Sequence, residues 1–447
     1  MVTSALVDFI CKTGYEDLSP AAVEMAGLAI LDWFGSAAAG GRQSPAQMIL
    51  GVVEELGGVP EATILAGGGK SSCLNAALVN GAISHIVELD DVHRASIIHP
   101  AAPVIPAALA AAEKEHAGGR ELMAAVVVGY EVAIRVAEAI TPSHYYYWHT
   151  TGTCGTFGAA AAACKIFNLG PDMVAWALGN AGTQAAGLWE FLADGAMSKH
   201  LHPGKAAMNG LLAALLARRG FTGAGRILEG EKGFCRATAP EVNFDLITGG
   251  LGEGSFKVEE VSFKIHSSCR HTHPAVDVAI DLTKKQEIKP EAVQWVRVGT
   301  YKTALDITSN YAPDSIYAAK FSLPFCVALA ISKGRCGLED FSEAALADPV
   351  IRSLMEKVEL AVDPELDARH PQLWPAEVKV GLNSGQVLAG QTDSPRGDPE
   401  NPVAAKDLEI KYLPLASGPW GENRARRIMD LCRNLAAVSD LSSALPF

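Results

Sequence analysis

The chain has no cysteines spaced as CxxC and no HExxH segment, so the common signatures of a structural zinc site or a zinc hydrolase are missing. Its nine cysteines are scattered and odd in number, which argues against a disulfide framework and reads as reduced thiols of a cytosolic protein. Charged residues are scarce, at 19%, and their balance is -13, so neither nucleic acid nor an anionic membrane is the expected partner. A local basic pocket for a small anion remains compatible with that balance. No unbroken apolar run reaches the roughly 18 residues of a membrane span, and residues 101–112 are too few and contain two prolines. The first twenty residues lack a basic region followed by an apolar core and a cleavage site, so no secretory signal is expected.

What the chain has in quantity is small and apolar side chains: 43 glycines, many alanines and 49% hydrophobic residues overall. That composition suits helices that approach one another closely. At 447 residues two domains are expected. Ser19-Pro20 is a cap followed by a first-turn proline, and residues 22–37 continue at helical spacing up to Gly40-Gly41. Further helices are predicted at 43–56, 73–89, 101–113, 121–140, 157–167, 172–184, 206–219 and 423–435. After about residue 263 the texture changes. Residues 292–301 carry a strand pattern, residues 375–390 read as a hairpin turning at Asn383-Ser384-Gly385, and 274–285 and 318–332 are helical. A smaller α+β domain is therefore placed at 264–403, with 1–263 and 404–447 forming a helical domain.

Chemistry-bearing residues concentrate in a few stretches. Met197 to Lys205 (MSKHLHPGK) puts Lys199, Lys205, His200 and His202 into what reads as a turn just before a long apolar helix. It is either an anion site or a solvated connector. His85 to His93 (HIVELDDVH) ends a predicted helix with two imidazoles and three carboxylates; His85 and His93 read as packing residues, Asp90 and Asp91 as caps or site residues. His144 to His149 places four aromatics between two histidines, a pattern of a lid or a subunit contact. Sets such as His85, His93, His99 and Asp91, or His266, His271 and His273, are conceivable metal ligands, although Arg270 beside the second set disfavours a cation.

Six segments in order, HIVELDDVHRASIIHPAAPVIPAAL, WHTTGTCGTFGAAAAA, SKHLHPGKAAMNG, GFTG, FKIHSSCRHTHPAVD and AAKFSLPF, resemble the MmgE/PrpD family. Its members are 2-methylcitrate dehydratase-like proteins and include cis-aconitate decarboxylase and iminodisuccinate epimerase. The resemblance implies a mostly α fold, with a large all-helical domain built from both chain ends and a smaller α+β lid domain. It also implies a cytoplasmic homodimer that uses no cofactor or metal and acts on a small di- or tricarboxylate. Carried onto this sequence, the catalytic positions are His99, His149, Lys199 and Lys264, with Glu88, Asp91, His202, Cys269, Arg270 and His273 as substrate-binding candidates. Three departures argue against itaconate-forming decarboxylation. Val92 stands where many relatives have a threonine, one extra residue separates the Asp pair from His99-Pro100, and Cys269 replaces a histidine. The sequence around Lys264 likewise argues against methylcitrate itself as substrate.

The residue types suit that chemistry. Breaking a C–H bond beside a carboxylate leaves enolate-like charge, which needs a base and cations aimed at the oxygens. Lys199 and Lys264 can hold carboxylates or act as bases, His99 and His149 can move protons near neutral pH, and Arg270 can fork onto a second carboxylate. The leading expectation is a hydro-lyase in which Lys199 or His149 takes the proton and His99 protonates the leaving hydroxyl; an epimerase is the alternative, then a decarboxylase.

Overall fold

A computed structural model describes all 447 residues. The fold is mostly α. Internal contacts divide the chain into two units. The larger holds Met1–Ile86, Asp90–Val261 and Ala404–Phe447; the smaller holds Ser262–Val403 together with the three residues Val87–Leu89.

In the larger unit the principal helices are Pro20–Gly40, Cys73–His85, Ala101–Glu115, Gly119–Ile140, Thr150–Ile166, Pro171–Gly182 and Ser198–Arg218, and Ala405–Trp420 and Glu422–Arg433 return to it from the C-terminal end. The Ser19 hydroxyl caps the first of these by accepting from the Ala22 amide at 2.9 Å. That helix, at 21 residues, is long and apolar enough to cross a membrane by length and composition, contrary to the expectation of none. The expectation counted unbroken runs, and Glu24 and Asp32 interrupt this one. Its most apolar window is 67% buried within the protein, and Asp32 pairs with Lys411 at 2.6 Å, as a core helix would.

Helices meet backbone to backbone where glycines replace side chains. A Cβ on Gly204 would lie 2.3 Å from the Leu78 carbonyl oxygen and 2.9 Å from the Ala82 amide nitrogen, and one on Gly81 would lie 2.8 Å from Gly204 Cα. This contact binds Cys73–His85 to Ser198–Arg218, the two helices that end or begin at the charged stretches. Gly204→Ala is therefore expected to destabilise the protein by about 1–3 kcal/mol through overpacking. Urea unfolding checks it; an unchanged midpoint would refute the contact's importance.

Three expectations for local structure are corrected. The basic stretch is not a turn before a helix at 206–219: the helix already begins at Ser198, with Lys199, His200 and His202 in its first two turns. Pro203 costs one i→i−4 bond near the start, where it is tolerated, and the glycine contact fixes the next residue. The helix predicted at 73–89 stops at His85, because Glu88 adopts a left-handed φ of 57°. The helix predicted at 318–332 is two, Ile316–Lys320 and Leu323–Lys333, divided where Ser322 caps the second by accepting from Phe325 N at 3.2 Å. Ala405–Trp420 was not read from the sequence, since Pro414 and Pro419 lie inside it.

The larger unit also carries a short hairpin, β1 (Ala62–Ile64) and β2 (Gly69–Ser71). The smaller unit is built on four strands, β3 (Val293–Thr300), β4 (Val358–Val362), β5 (Ala376–Leu382) and β6 (Val387–Thr392), in the order β4-β3-β5-β6. β5 and β6 form the predicted antiparallel hairpin, and Gly385 in its turn has φ 86°. β4, which the sequence reading missed, pairs parallel to β3. Val296, Val298, Val378 and Val380 point to one face, where His273–Gln286 and Leu323–Lys333 cover them in a single apolar core.

Candidate active site

Four imidazoles gather in the larger unit. Ring centroids are 4.9 Å apart for His85 and His99, 5.5 Å for His85 and His149, 6.3 Å for His99 and His149, and 5.4 Å for His149 and His202. Each ring is placed by backbone. His85 is the last residue of its helix, and His149 is the N-cap of Thr150–Ile166, its amide bonded to the Gly187 carbonyl at 2.9 Å. The loop bearing His99 is pinned to the start of the same helix: Thr151 Oγ1 accepts from the His99 amide at 3.0 Å, and Thr150 Oγ1 donates to the Ile97 carbonyl at 2.5 Å. Gly152 lets His202 in, since a Cβ there would stand 3.1 Å from His202 Cβ. Lys199, one turn before His202, is buried.

Burial pushes the His149 imidazole well below the usual range, and the neighbouring His202, His85, Lys199 and His99 further disfavour a positive charge on it. Burial first, then His85 and Lys199, hold His202 down to about 4. The two rings face each other through Nδ1 atoms 3.1 Å apart, a contact with room for one hydrogen. At neutral pH both are therefore uncharged. Nε2 of His149 and Nε2 of His85 are buried without a hydrogen-bond partner in the protein.

The two aspartates between His85 and His99 behave differently. Burial raises the Asp91 carboxyl to about 8, against hydrogen bonds from the Tyr130 hydroxyl at 2.7 Å and the Ala101 amide at 3.0 Å, with Asp90 and Asp32 adding to the rise. Asp90 Oδ2 lies 2.6 Å from His85 Nδ1 and 3.5 Å from His99 Nδ1. His99 Nδ1 is also 2.6 Å from the Asp91 main-chain oxygen, which can only accept, so that nitrogen carries a hydrogen.

The remaining candidates lie in the smaller unit. Lys264 is fully buried and pairs with Glu88 at 3.2 Å. Ser267 Oγ and Lys320 Nζ donate to the Val87 carbonyl at 2.7 and 3.0 Å, so three side chains hold the Val87–Leu89 stretch. Arg270 gives its fork to Asp398 and to the carbonyls of Arg396 and Phe263, and Nη1 meets His273 Nδ1 at 2.8 Å. With these partners Arg270 secures the loop at 396–398 and presents His273 as an acceptor. Cys269 is buried, its amide bonded to the Lys320 carbonyl at 2.9 Å.

The structure thus groups His99, His149, Lys199, His202 and Asp91 in one unit and Lys264, Glu88, Cys269, Arg270 and His273 in the other. Sequence reasoning read His85 as a packing residue and left Asp90 open between a cap and a site residue; the signal that joins them is their spacing of five across a helix end. The metal-ligand sets conceived from the sequence do not converge. His93 turns to Ser96 Oγ at 2.8 Å and Glu260 at 3.2 Å, in a group already neutralised by the Lys257 ammonium. His271 meets the Tyr301 hydroxyl at 2.8 Å, and His266 meets Asp277 at 2.7 Å. His85, Asp90 and His99 do bring three ligand-type atoms within 4.8 Å of one another. The hydrogen on His99 Nδ1 leaves that atom no lone pair for a metal.

The family model described as the MmgE/PrpD N-terminal domain matches residues 4–247, and that of the MmgE/PrpD C-terminal domain matches residues 266–436. A cis-aconitate decarboxylase of Aspergillus terreus is 27% identical over 470 aligned positions, covering 99% of this chain and 95% of that protein. The cis-aconitate decarboxylase-like protein oryM of Aspergillus oryzae is 28% identical, covering 83% and 81%. The human cis-aconitate decarboxylase is 26% identical, covering 82% and 77%.

Proposed function

We propose, because this chain belongs to the MmgE/PrpD family, that it is a cofactor-independent lyase acting on a small di- or tricarboxylic acid at the carbon beside a carboxylate. The observation that carries the reading is the buried His149–His202 pair, uncharged at neutral pH, beside the buried ammonium of Lys199. A neutral imidazole can take a proton, and a desolvated ammonium can hold a carboxylate and favour enolate charge. That combination suits C–H cleavage, and elimination of water after it is the first reading. Loss of carbon dioxide is the second reading, favoured by the names of the relatives in Aspergillus and in humans. An epimerase would use the same C–H cleavage and return the proton to the opposite face.

The protein should be incubated with citrate-, malate-, aminosuccinate- and aconitate-type acids in deuterated water and followed by proton NMR. An alkene product without loss of carbon identifies the hydro-lyase, a product one carbon shorter the carboxy-lyase, and deuterated substrate alone the epimerase. No change in any of these acids would overturn the lyase reading. On the acid that reacts, Lys199→Met is expected to lower kcat/KM by about 10²–10³-fold, the usual loss for a preorganised charge. Full turnover by this variant would remove Lys199 from the reaction. The same reading takes the enzyme as a cytoplasmic homodimer, and light scattering checks the mass.

A further inference from the structure

Asp90 stands between two imidazoles that family comparison alone would not join. Its Oδ2 is 2.6 Å from His85 Nδ1 and 3.5 Å from His99 Nδ1, and all three side chains are buried. The charged and titratable groups around them come from several elements: Asp91 from the same loop, Asp32 from Pro20–Gly40, Tyr130 from Gly119–Ile140, His149 from the cap of Thr150–Ile166, and Lys199 and His202 from Ser198–Arg218. Two adjacent buried carboxylates do not both ionise cheaply. Asp91, with its carboxyl raised to about 8, keeps its proton at neutral pH. Asp90 Oδ2 faces the N–H edge of His99, a geometry that favours its ionised form.

An ionised carboxylate accepts only, so His85 Nδ1 carries the hydrogen of the 2.6 Å contact. The tautomer follows: the lone pair of neutral His85 is on Nε2. That atom is buried and has no hydrogen-bond partner in the protein, an unsatisfied state that a ligand group donating to it would relieve. His149 and His202 lack such a carboxylate; the groups acting on them beyond burial are all cations or imidazoles.

We propose that Asp90 is a positioning residue that holds His85 with its Nε2 lone pair presented for proton transfer and makes the His85–His99 side of the cluster the place where positive charge is accommodated during the reaction. The proposal rests on the lyase reading for its chemistry. The proton leaves the substrate carbon beside the carboxylate and bonds to His85 Nε2, while the C–H electron pair stays on the substrate as the enolate. Nδ1–H remains on Asp90, so the imidazolium forms as one half of an ion pair with no further movement of charge. A carboxylate that fixes a ring's tautomer and supports its charged form is the same physical device as in the serine-protease triad.

The tautomer is tested without any substrate. In protein labelled with 15N-histidine, long-range proton–nitrogen NMR, with His85 assigned from a His85→Gln sample, is expected to show hydrogen on Nδ1. A neutral His85 ring protonated on Nε2 overturns the proposal whether or not the lyase reading stands. On a reacting acid, Asp90→Asn is expected to lower kcat by about 10²–10⁴-fold with KM within about threefold and to displace the pH profile of kcat; Asp90→Glu should restore part of the rate. A merely structural aspartate would reduce the folded fraction and leave the pH profile of the remaining activity in place. That outcome, or wild-type kcat in Asp90→Asn, overturns the proposal. If Asp90→Asn does not fold, the wild-type NMR result still decides it. Failure of every acid in the panel, with Nδ1–H observed, overturns the lyase reading and leaves the Asp90–His85 geometry confirmed.

Discussion

Lys264→Met is expected to destabilise the protein by about 3–5 kcal/mol, more than any exposed substitution would. The Lys264 and Glu88 side chains are each 1% exposed, so the pair is held out of water on both sides. Removing the ammonium leaves a buried carboxylate without its 3.2 Å partner. The carboxylate then loses its cation, which favours its taking up a proton. That protonation gives the loss a pH dependence. In the variant a Glu88 with a raised folded value binds a proton that the unfolded chain has released, so stability falls as pH rises through the neutral range. The deficit relative to wild type should be smaller at pH 5 than at pH 8. Adding Glu88→Gln to Lys264→Met removes the buried negative charge while keeping the side-chain length and the left-handed backbone at φ 57°. The double variant is expected to recover part of the loss. Chemical unfolding of the four proteins at both pH values measures it; a Lys264→Met variant as stable as wild type would mean the pair contributes nothing.

Acid should unfold the protein over the range where histidine titrates. His144, His149 and His202 in the larger unit and His271 and His273 in the smaller are held below the ordinary histidine value, burial being the largest cause at each. His144 is down to about 4 and His271 to about 3. Unfolded, these rings charge near pH 6.5; folded, they stay neutral until well below it. Their contribution is therefore fully present above the unfolded value and is lost as pH falls toward the folded one. For a fully buried ring such as His144 the loss is about 1.4 kcal/mol per pH unit, or about 2 kcal/mol between pH 6.5 and 5. Asp91 acts in the opposite sense. Its raised carboxyl gains stability as pH falls from about 8, and burial raises Glu113 in the same direction, but these are two carboxyls against six depressed histidines once His370 is included. Thermal unfolding between pH 8 and pH 4.5 should show the midpoint dropping steeply below 6.5. A midpoint level across that interval would contradict the burial of neutral imidazoles.

The sequence alone determined most of the helices, the β5–β6 hairpin and which segments carry reactive residues. Ser19-Pro20 starts a helix because a hydroxyl cap and a fixed proline φ act within one turn. Asn383-Ser384-Gly385 turns a hairpin for an equally local reason, a glycine at positive φ. The family's segments are legible because residues such as His99-Pro100 and Ser198-Lys199 stand at recognisable spacings. Only the tertiary structure decided that MSKHLHPGK is helical, since the contact of Gly204 with Leu78 and Ala82 joins residues more than a hundred positions apart. The assignment of Val87–Leu89 to the smaller unit likewise depends on Lys264, Ser267 and Lys320, far along the chain. The roles of the histidines were decided in the same way. A histidine's charge depends on burial and on which carboxylate reaches its nitrogen, and neither quantity exists until the chain has packed. His85 looked like an ordinary helix-end residue for that reason, and the 2.6 Å contact with Asp90 is what gives it a direction.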